Sequence, residues 1–267
     1  MKHALPRIVA GLWSFALLAG CDGGQTSSGE GGSGGSGGSS GGTAGTGAVT
    51  SSGGSTGSVG PMTCDDPVVN GKATYYDFAD GSGACSFDPT PDDLLVGAMN
   101  FPDYQASAAC GACAAIDGPN GSVTVRIVDL CPECESGHID LSPEAFSMIA
   151  DLSAGVVPIT WRYVSCNYPE PIQYKFKEGS NQWWTAVQIR RHVHRIAKLE
   201  YEKDGAFIEV ARTDYNYFVE DAGMGPGPYH FRVTDVLGQT LEDTGIPFIE
   251  AGIVDGKGQF PACLVHE

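Results

Sequence analysis

A mainly β chain, with two small domains carried behind a long low-complexity segment, is predicted by three observations. Short runs of β-branched and aromatic residues alternate with Gly, Asn, Asp and Pro turn signals across 64–263. One stretch alone has a credible helix start. The roughly 200 residues that follow the low-complexity segment suit two domains of about 100 each, every one large enough to hold its own core.

The N-terminus sets the compartment. Lys2 and Arg7 precede an apolar run over 8–18 that leads into Leu17-Leu18-Ala19-Gly20-Cys21. The run is too short to span a bilayer, and small residues beside a cysteine suit a lipoprotein signal peptidase, so 1–20 is a signal peptide and Cys21 the lipidated first residue. Residues 21–62 are almost entirely Gly, Ser, Thr and Ala, with too little apolar surface to order the backbone. They form a disordered tether, whose ends a Gly-rich coil holds roughly 35 Å apart on average. The protein is expected to be exported, as a cell-surface lipoprotein or extracellular, touching membrane only through its lipid.

The formal net charge is −17. Nucleic acid is therefore excluded as a partner, and attraction to acidic wall polymers is expected to be weak. Besides Cys21 there are eight cysteines: Cys64, Cys85, Cys110, Cys113, Cys131, Cys134, Cys166 and Cys263. The pairs Cys110-x-x-Cys113 and Cys131-x-x-Cys134 have the spacing of a zinc ribbon, yet an even number of thiols outside the cytoplasm favours disulfides. No metal and no cofactor is expected. Connectivity stays open.

Residues 63–167 form the first domain. Strands are expected near 73–76, 94–99, 112–116, 122–129 and 157–163. A helix follows Ser142, which can cap it; Pro143 suits the first helical position, and Phe146, Ile149 and Ala150 form an apolar stripe. A compact barrel with one or two short helices fits. Two prolines in Asn167-Tyr168-Pro169-Glu170-Pro171 mark the boundary. In 168–267, strands near 172–177, 185–190, 197–201, 207–212, 229–235 and around Phe248 point to a small β-sandwich. The basic run Arg190, Arg191, His192, His194, Arg195 and Lys198 reads as a solvated charged face.

Several motifs follow one another through both domains: Ala73-Thr74-Tyr75-Tyr76, Asp88-Pro89, Val128-Asp129-Leu130-Cys131-Pro132 and His138-Ile139-Asp140-Leu141-Ser142-Pro143, then Lys177-Glu178-Gly179-Ser180-Asn181-Gln182-Trp183-Trp184, Asp214-Tyr215-Asn216-Tyr217-Phe218 and Arg232-Val233-Thr234-Asp235. In this order they resemble the bacterial expansins. The resemblance implies a six-stranded double-psi β-barrel related to family-45 glycoside hydrolases, then an immunoglobulin-like sandwich acting as a family-63 carbohydrate-binding module. It implies Thr74, Asp129 and Asp140 as groove residues, and Lys177, Trp183, Trp184 and Tyr215 as a polysaccharide-binding face. Some members carry a tyrosine where this chain has Cys131.

Physical reasoning sharpens these expectations. A carboxyl such as Asp140 can protonate a glycosidic oxygen, but inverting hydrolysis also needs a second carboxylate about 6.5–9.5 Å away. That partner is missing in expansins. Here Asp77 follows Thr74 at nearly the spacing of the hydrolase base, so a glycoside hydrolase or peptidoglycan lytic transglycosylase using Asp140 with Asp77 is the alternative. Asp140 also precedes Ser142 closely enough to face a helix N-terminus, and Asp129 is equally suited to bracing the barrel. Neighbouring tryptophans on a regular strand face opposite sides, so exposing both Trp183 and Trp184 requires a loop or bulge. The expected function is non-hydrolytic plant cell-wall loosening by a monomer that binds cellulose and associated glucans, with peptidoglycan as a further candidate partner; a pure cellulose adhesin is the third reading.

Overall fold

The computed structural model describes residues 66–263 apart from residue 78. The signal peptide, Cys21, the tether 21–62 and Cys64 lie outside the described residues. The N-terminal half is a closed barrel of β1 (Val69–Tyr75), β2 (Val96–Asn100), β3 (Cys113–Gly118), β4 (Gly121–Cys131), β5 (Ile139–Leu141) and β6 (Val157–Val164), hydrogen-bonded in the order β1-β5-β2-β4-β3-β6. β1 pairs in parallel with β5, and β2 with β4; the remaining contacts are antiparallel. Closure leaves no unpaired edge. Strand alternation fills the interior: Val123, Val125 and Ile127 of β4 are buried while Ser122 and Thr124 face outward. The three-residue β5 lies within a motif whose strand character its length conceals.

α1 (Phe101–Tyr104) follows β2 directly, with Asn100 as its cap. α2 (Pro143–Ile149) begins where the sequence places it: Ser142 Oγ accepts the Ala145 N–H at 3.1 Å, and Pro143 opens the first turn. Phe146 and Ile149 are fully buried, with the Phe146 ring centred 5.0 Å from that of Tyr75.

The C-terminal half contains β7 (Gln173–Phe176), β8 (Thr185–Arg190), β9 (Ile196–Lys203), β10 (Ala206–Arg212), β11 (Phe218–Glu220), β12 (Tyr229–Asp235), β13 (Thr240–Ile246) and β14 (Ile253–Asp255). They form one hydrogen-bonded sheet, β13-β12-β9-β10-β11-β8-β7-β14, whose two halves share a single core. Tyr174 of β7 stacks on Phe231 of β12 with centroids 4.9 Å apart, so the two ends of the sheet face each other as a sandwich. The Tyr174 hydroxyl donates to buried Asp243 at 2.9 Å. Asp204 and Gly205 turn β9 into β10, both with positive φ. The expected strand around Phe248 is absent; β13 ends before it, and Phe248 packs as a side chain against Phe176.

Of the basic run expected to be a solvated face, Arg190, His192, His194 and Arg195 instead lie at the junction between the halves, while Arg191 is exposed and Lys198 pairs with Glu200. His192 and His194 are buried, at 2% and 6% exposure. Arg190 pairs with Asp88 at 2.5 Å, and Arg195 pairs with Asp66 at 2.8 Å while lying over the Tyr163 ring. Gln188 and Asn216 both donate to the Cys85 carbonyl, at 2.8 and 3.1 Å, and Ser107 Oγ donates to Thr213 O at 2.7 Å. A Cβ on Gly111 would stand 2.6 Å from His192 Nε2, so only glycine admits the imidazole here. His194 donates through Nδ1 to fully buried Asp235 at 2.8 Å, and its Nε2 faces Ser165 Oγ at 2.9 Å. That order of groups matches a hydrolase triad, but Cys263 Sγ lies 3.3 Å from Nε2 and the adjoining cavity is only about 20 Å³. With no room for a substrate, the chain of bonds acts as a strut between halves.

Three disulfides are described: Cys85–Cys110, Cys113–Cys166 and Cys131–Cys134; Cys263 is disulfide-bonded as well. The zinc-ribbon spacing is thus divided among separate bridges. In the chain-entropy account, the separations of 25, 53 and 3 residues contribute roughly 3.5, 4 and under 2 kcal/mol. Cys113→Ser with Cys166→Ser should therefore lower stability in urea unfolding by about twice as much as Cys131→Ser with Cys134→Ser.

Burial also depresses the His192 pKa to about 4, with nearby Arg212 adding to the effect and the His194 carbonyl opposing it. The unfolded chain then binds more protons than the native one between pH 6.5 and 4, so stability rises with pH across that window and is lost as pH falls through it. The loss is on the order of 3 kcal/mol. Thermal melts from pH 7 to pH 4 should show a falling midpoint, with a shallower slope in His192→Gln; an unchanged slope would remove His192 as the cause.

Candidate functional site

The barrel's strand pairing assembles a row of side chains across four strands. Thr74 of β1 is in register with Asp140 of β5, Asp140 with Ala98 of β2, and Ala98 with Asp129 of β4. Register partners point to the same side of a sheet, so both carboxylates and the threonine face one way, with small Ala98 between the acids. Two strand spacings separate the Asp129 and Asp140 backbones, about 9–10 Å.

Thr74 Oγ1 donates a very short hydrogen bond to Asp140 Oδ1. A hydroxyl has one proton, so His138 Nε2, 2.8 Å from the same oxygen, must be the donor in its contact with Thr74. Burial, helped by Lys72, lowers the His138 pKa and favours the neutral ring, whose Nε2–H tautomer makes this donation. Asp140 is thereby held in the groove and not spent on the helix: the α2 cap is Ser142. Asp129 is braced on one side, where Oδ1 accepts from Ala84 N at 2.7 Å and Leu130 N at 2.8 Å. A Cβ on Gly83 would lie 2.5 Å from Asp129 Cγ, so this glycine lets the loop after β1 close over the acid.

Tyr76 is a groove residue that the sequence reasoning passed over. Its backbone extends β1 by bonding Leu141 O at 3.0 Å, while its buried hydroxyl has no hydrogen-bond partner among the described residues. Burial raises the phenol pKa well above the ordinary value, and Asp129, Asp140 and Asp80 add to it. The hydroxyl is therefore a protonated donor set among carboxylates. Cys131, where some expansins carry a tyrosine, is tied to Cys134 at the end of β4. Asp77, the base of the hydrolytic alternative, is exposed and makes no bond to Thr74 or Asp140 among the described residues.

The second group of residues lies on the C-terminal half. A tight turn from Asn181 to Trp184 is closed by Asn181 N to Trp184 O at 2.7 Å and braced by Asn181 Oδ1 on the Trp183 N–H at 2.9 Å. This is the loop that the adjacent tryptophans require. Trp183 is 71% exposed; Trp184 is half-buried, its Nε1 donating to Asp221 at 3.2 Å. Lys177 Nζ lies 5.8 Å from the centre of the Tyr217 ring, which in turn is 5.9 Å from that of Tyr215. Tyr104 joins the two regions: its hydroxyl donates to Asp214 O beside Tyr215 at 3.0 Å, and burial, then Asp129 and Asp214, push its pKa up to about 12.

A closed barrel with a carboxylate-lined groove, followed by a sandwich with an exposed aromatic turn, defines a two-domain double-psi barrel protein. A family model described as lytic transglycolase matches residues 97–161. Expansin-YoaJ of Bacillus subtilis (strain 168) is 38% identical over 205 residues, covering 73% of this chain and 88% of its own. The crystal structure of an apo Clavibacter michiganensis expansin superposes with a TM-score of 0.69 at 32% identity, covering 73% of this chain and all of that one. A mutant of that expansin, solved in complex with cellohexaose, matches equally well. The chain belongs to the bacterial expansins.

Because the Tyr76 hydroxyl is buried without a partner among the described residues, removing it relieves a desolvation penalty of about 1–3 kcal/mol. Tyr76→Phe should melt at or above the native temperature; a lower midpoint would mean that the hydroxyl is satisfied in solution.

Proposed function

We propose that this expansin binds cellulose through the Trp183 face and loosens plant cell wall without hydrolysis, working as a monomer exported on the lipidated Cys21 and the 21–62 tether. The observation that carries the reading is Trp183, a large aromatic 71% exposed on a turn whose hydrogen bonds fix it there. Such a ring matches the axial C–H face of a glucose unit. Lys177, Trp184 and Tyr215 extend the same face. The cellohexaose complex of the Clavibacter relative supports a glucan as the ligand.

In this reading the sandwich docks on cellulose while the barrel groove engages a neighbouring glucan. Asp129 and Asp140 accept from sugar hydroxyls, and these bonds substitute for those between glucan chains. No covalent step and no cofactor enters. Thr74 and His138 hold the Asp140 carboxylate in place. The lytic transglycolase match over 97–161 favours a second reading, in which Asp140 acts as acid with Asp77 as base. Asp77 is exposed, and an inverting pair works across about 6.5–9.5 Å with no bond between its members.

Cellulose pull-down and soluble-sugar release, recorded from one incubation, separate the two. Binding without release of sugar or anhydro-muropeptide is expected, and release that disappears in Asp77→Asn would establish the lytic reading. Trp183→Ala should weaken cellulose binding on the order of tenfold. Asp140→Asn should keep binding and lose most wall creep; unaltered creep would end the role given to Asp140.

A further inference from the structure

A cleft of about 240 Å³ opens beside the junction between the barrel and the sandwich, outside the groove and the aromatic turn. Its floor is the Phe87 ring, flanked by two guanidinium groups, with Arg126 Cζ 5.4 Å and Arg190 Cζ 5.7 Å from the ring centre. Both arginine side chains are only 11% exposed. Arg190 is fully occupied, bonding Asp88 at 2.5 Å, Gln188 Oε1 and Ser86 O. Arg126 is not: its Nη2 alone is used, on Thr90 Oγ1 at 2.9 Å and weakly on Asp93 at 3.5 Å. Its Nη1 and Nε have no partner among the described residues.

Arg191 supplies a third cation. Its backbone takes a left-handed φ of 54°, unusual for a residue with a Cβ, and its carbonyl is held by Gln259 Nε2 at 2.6 Å. The guanidinium makes neither ion pair nor hydrogen bond among the described residues. Tyr168, half-buried in the cleft wall, likewise offers a hydroxyl without a described partner. Three arginines stand against two rim carboxylates, Asp88 and Asp93, which leaves one positive charge uncompensated in a protein whose net charge is −17. One excess charge suits a monoanion, and the rim acids repel a dianion while accepting from hydroxyls.

We infer that this cleft is a binding site for the carboxylate of a single uronic-acid unit in an acidic wall polysaccharide. The volume admits one hexose ring. Arg126 and Arg191 supply fork donors to the carboxylate, Tyr168 donates to it or to a ring hydroxyl, and Asp88 and Asp93 accept from the sugar's hydroxyls. The overall negative charge does not oppose this, since at physiological salt fields fade within about 8 Å and contact chemistry decides. The choice of a wall sugar as carrier rests on the proposed function; the selectivity of the cleft for a monoanion does not.

Titration calorimetry on the purified protein tests the site, with trigalacturonate, its neutral galactose counterpart, inorganic phosphate and cellohexaose as probes. Trigalacturonate should bind, and the neutral trimer and phosphate should bind far more weakly. Arg191→Ser, at an exposed position, should weaken trigalacturonate about tenfold or more, as expected for one charge-assisted hydrogen bond, and Arg126→Gln should do the same. Trp183→Ala should spare trigalacturonate while weakening cellohexaose. Trigalacturonate binding that is undetectable, that phosphate displaces as strongly, or that survives both arginine variants overturns the site. Failure of cellohexaose alone to bind would count against the proposed function and leave the cleft standing.

Discussion

Parallel pairing of β1 with β5 and of β2 with β4 is the constraint on which the chemistry of this molecule depends. Thr74 lies on a strand far in sequence from those of Asp129 and Asp140, and only the register of the strands puts all three in one row. A slip of one residue would turn every one of them to the other face. Ala98 between the acids is buried, so a larger side chain at that register position would have to displace its neighbours. The Thr74 hydroxyl then fixes the Asp140 carboxylate, and neutral His138 fixes the hydroxyl, so the orientation of one acid is set by bonds two residues deep.

The second organising element is the junction. The Cys85 carbonyl receives amide donors from Gln188 and Asn216, both buried, and Cys85 is itself bridged to Cys110. Cys113–Cys166 ties the start of β3 to the end of β6, just before the connection between halves. Such polar groups are costly to leave unpaired, so the halves separate only by losing several bonds together.

Much of this architecture was legible in the sequence because it rests on local rules. Ser142 and Pro143 announce α2, and the alternation in 122–129 and 229–235 announces strands whose observed bounds are close to those expected. Exposing both Trp183 and Trp184, which the resemblance implied, required a turn; a turn is present, with Trp183 exposed and Trp184 half-buried. What local rules missed depends on distant partners. The basic run from Arg190 to Lys198 reads as solvated because charge alone does not reveal that Asp66, Asp88 and Asp235 arrive from elsewhere to bury it. Tyr76 looked like a strand residue; its value lies in Asp129 and Asp140, which stand more than fifty residues away in sequence. His138 was visible within a motif, but its bond to Thr74 joins neighbouring strands across a sequence separation of 64 residues.

The stiffness of the junction has a mechanical consequence. A hinge between the halves would let thermal agitation dissipate as bending of the protein, whereas buried amides and a bridged carbonyl leave little compliance there. Under the proposed function, two polymer strands gripped by such a body would be held at one fixed offset, like work clamped in calipers. Strain between them would then relax by creep of the polymers past each other, with the protein serving as a gauge block and not as a spring.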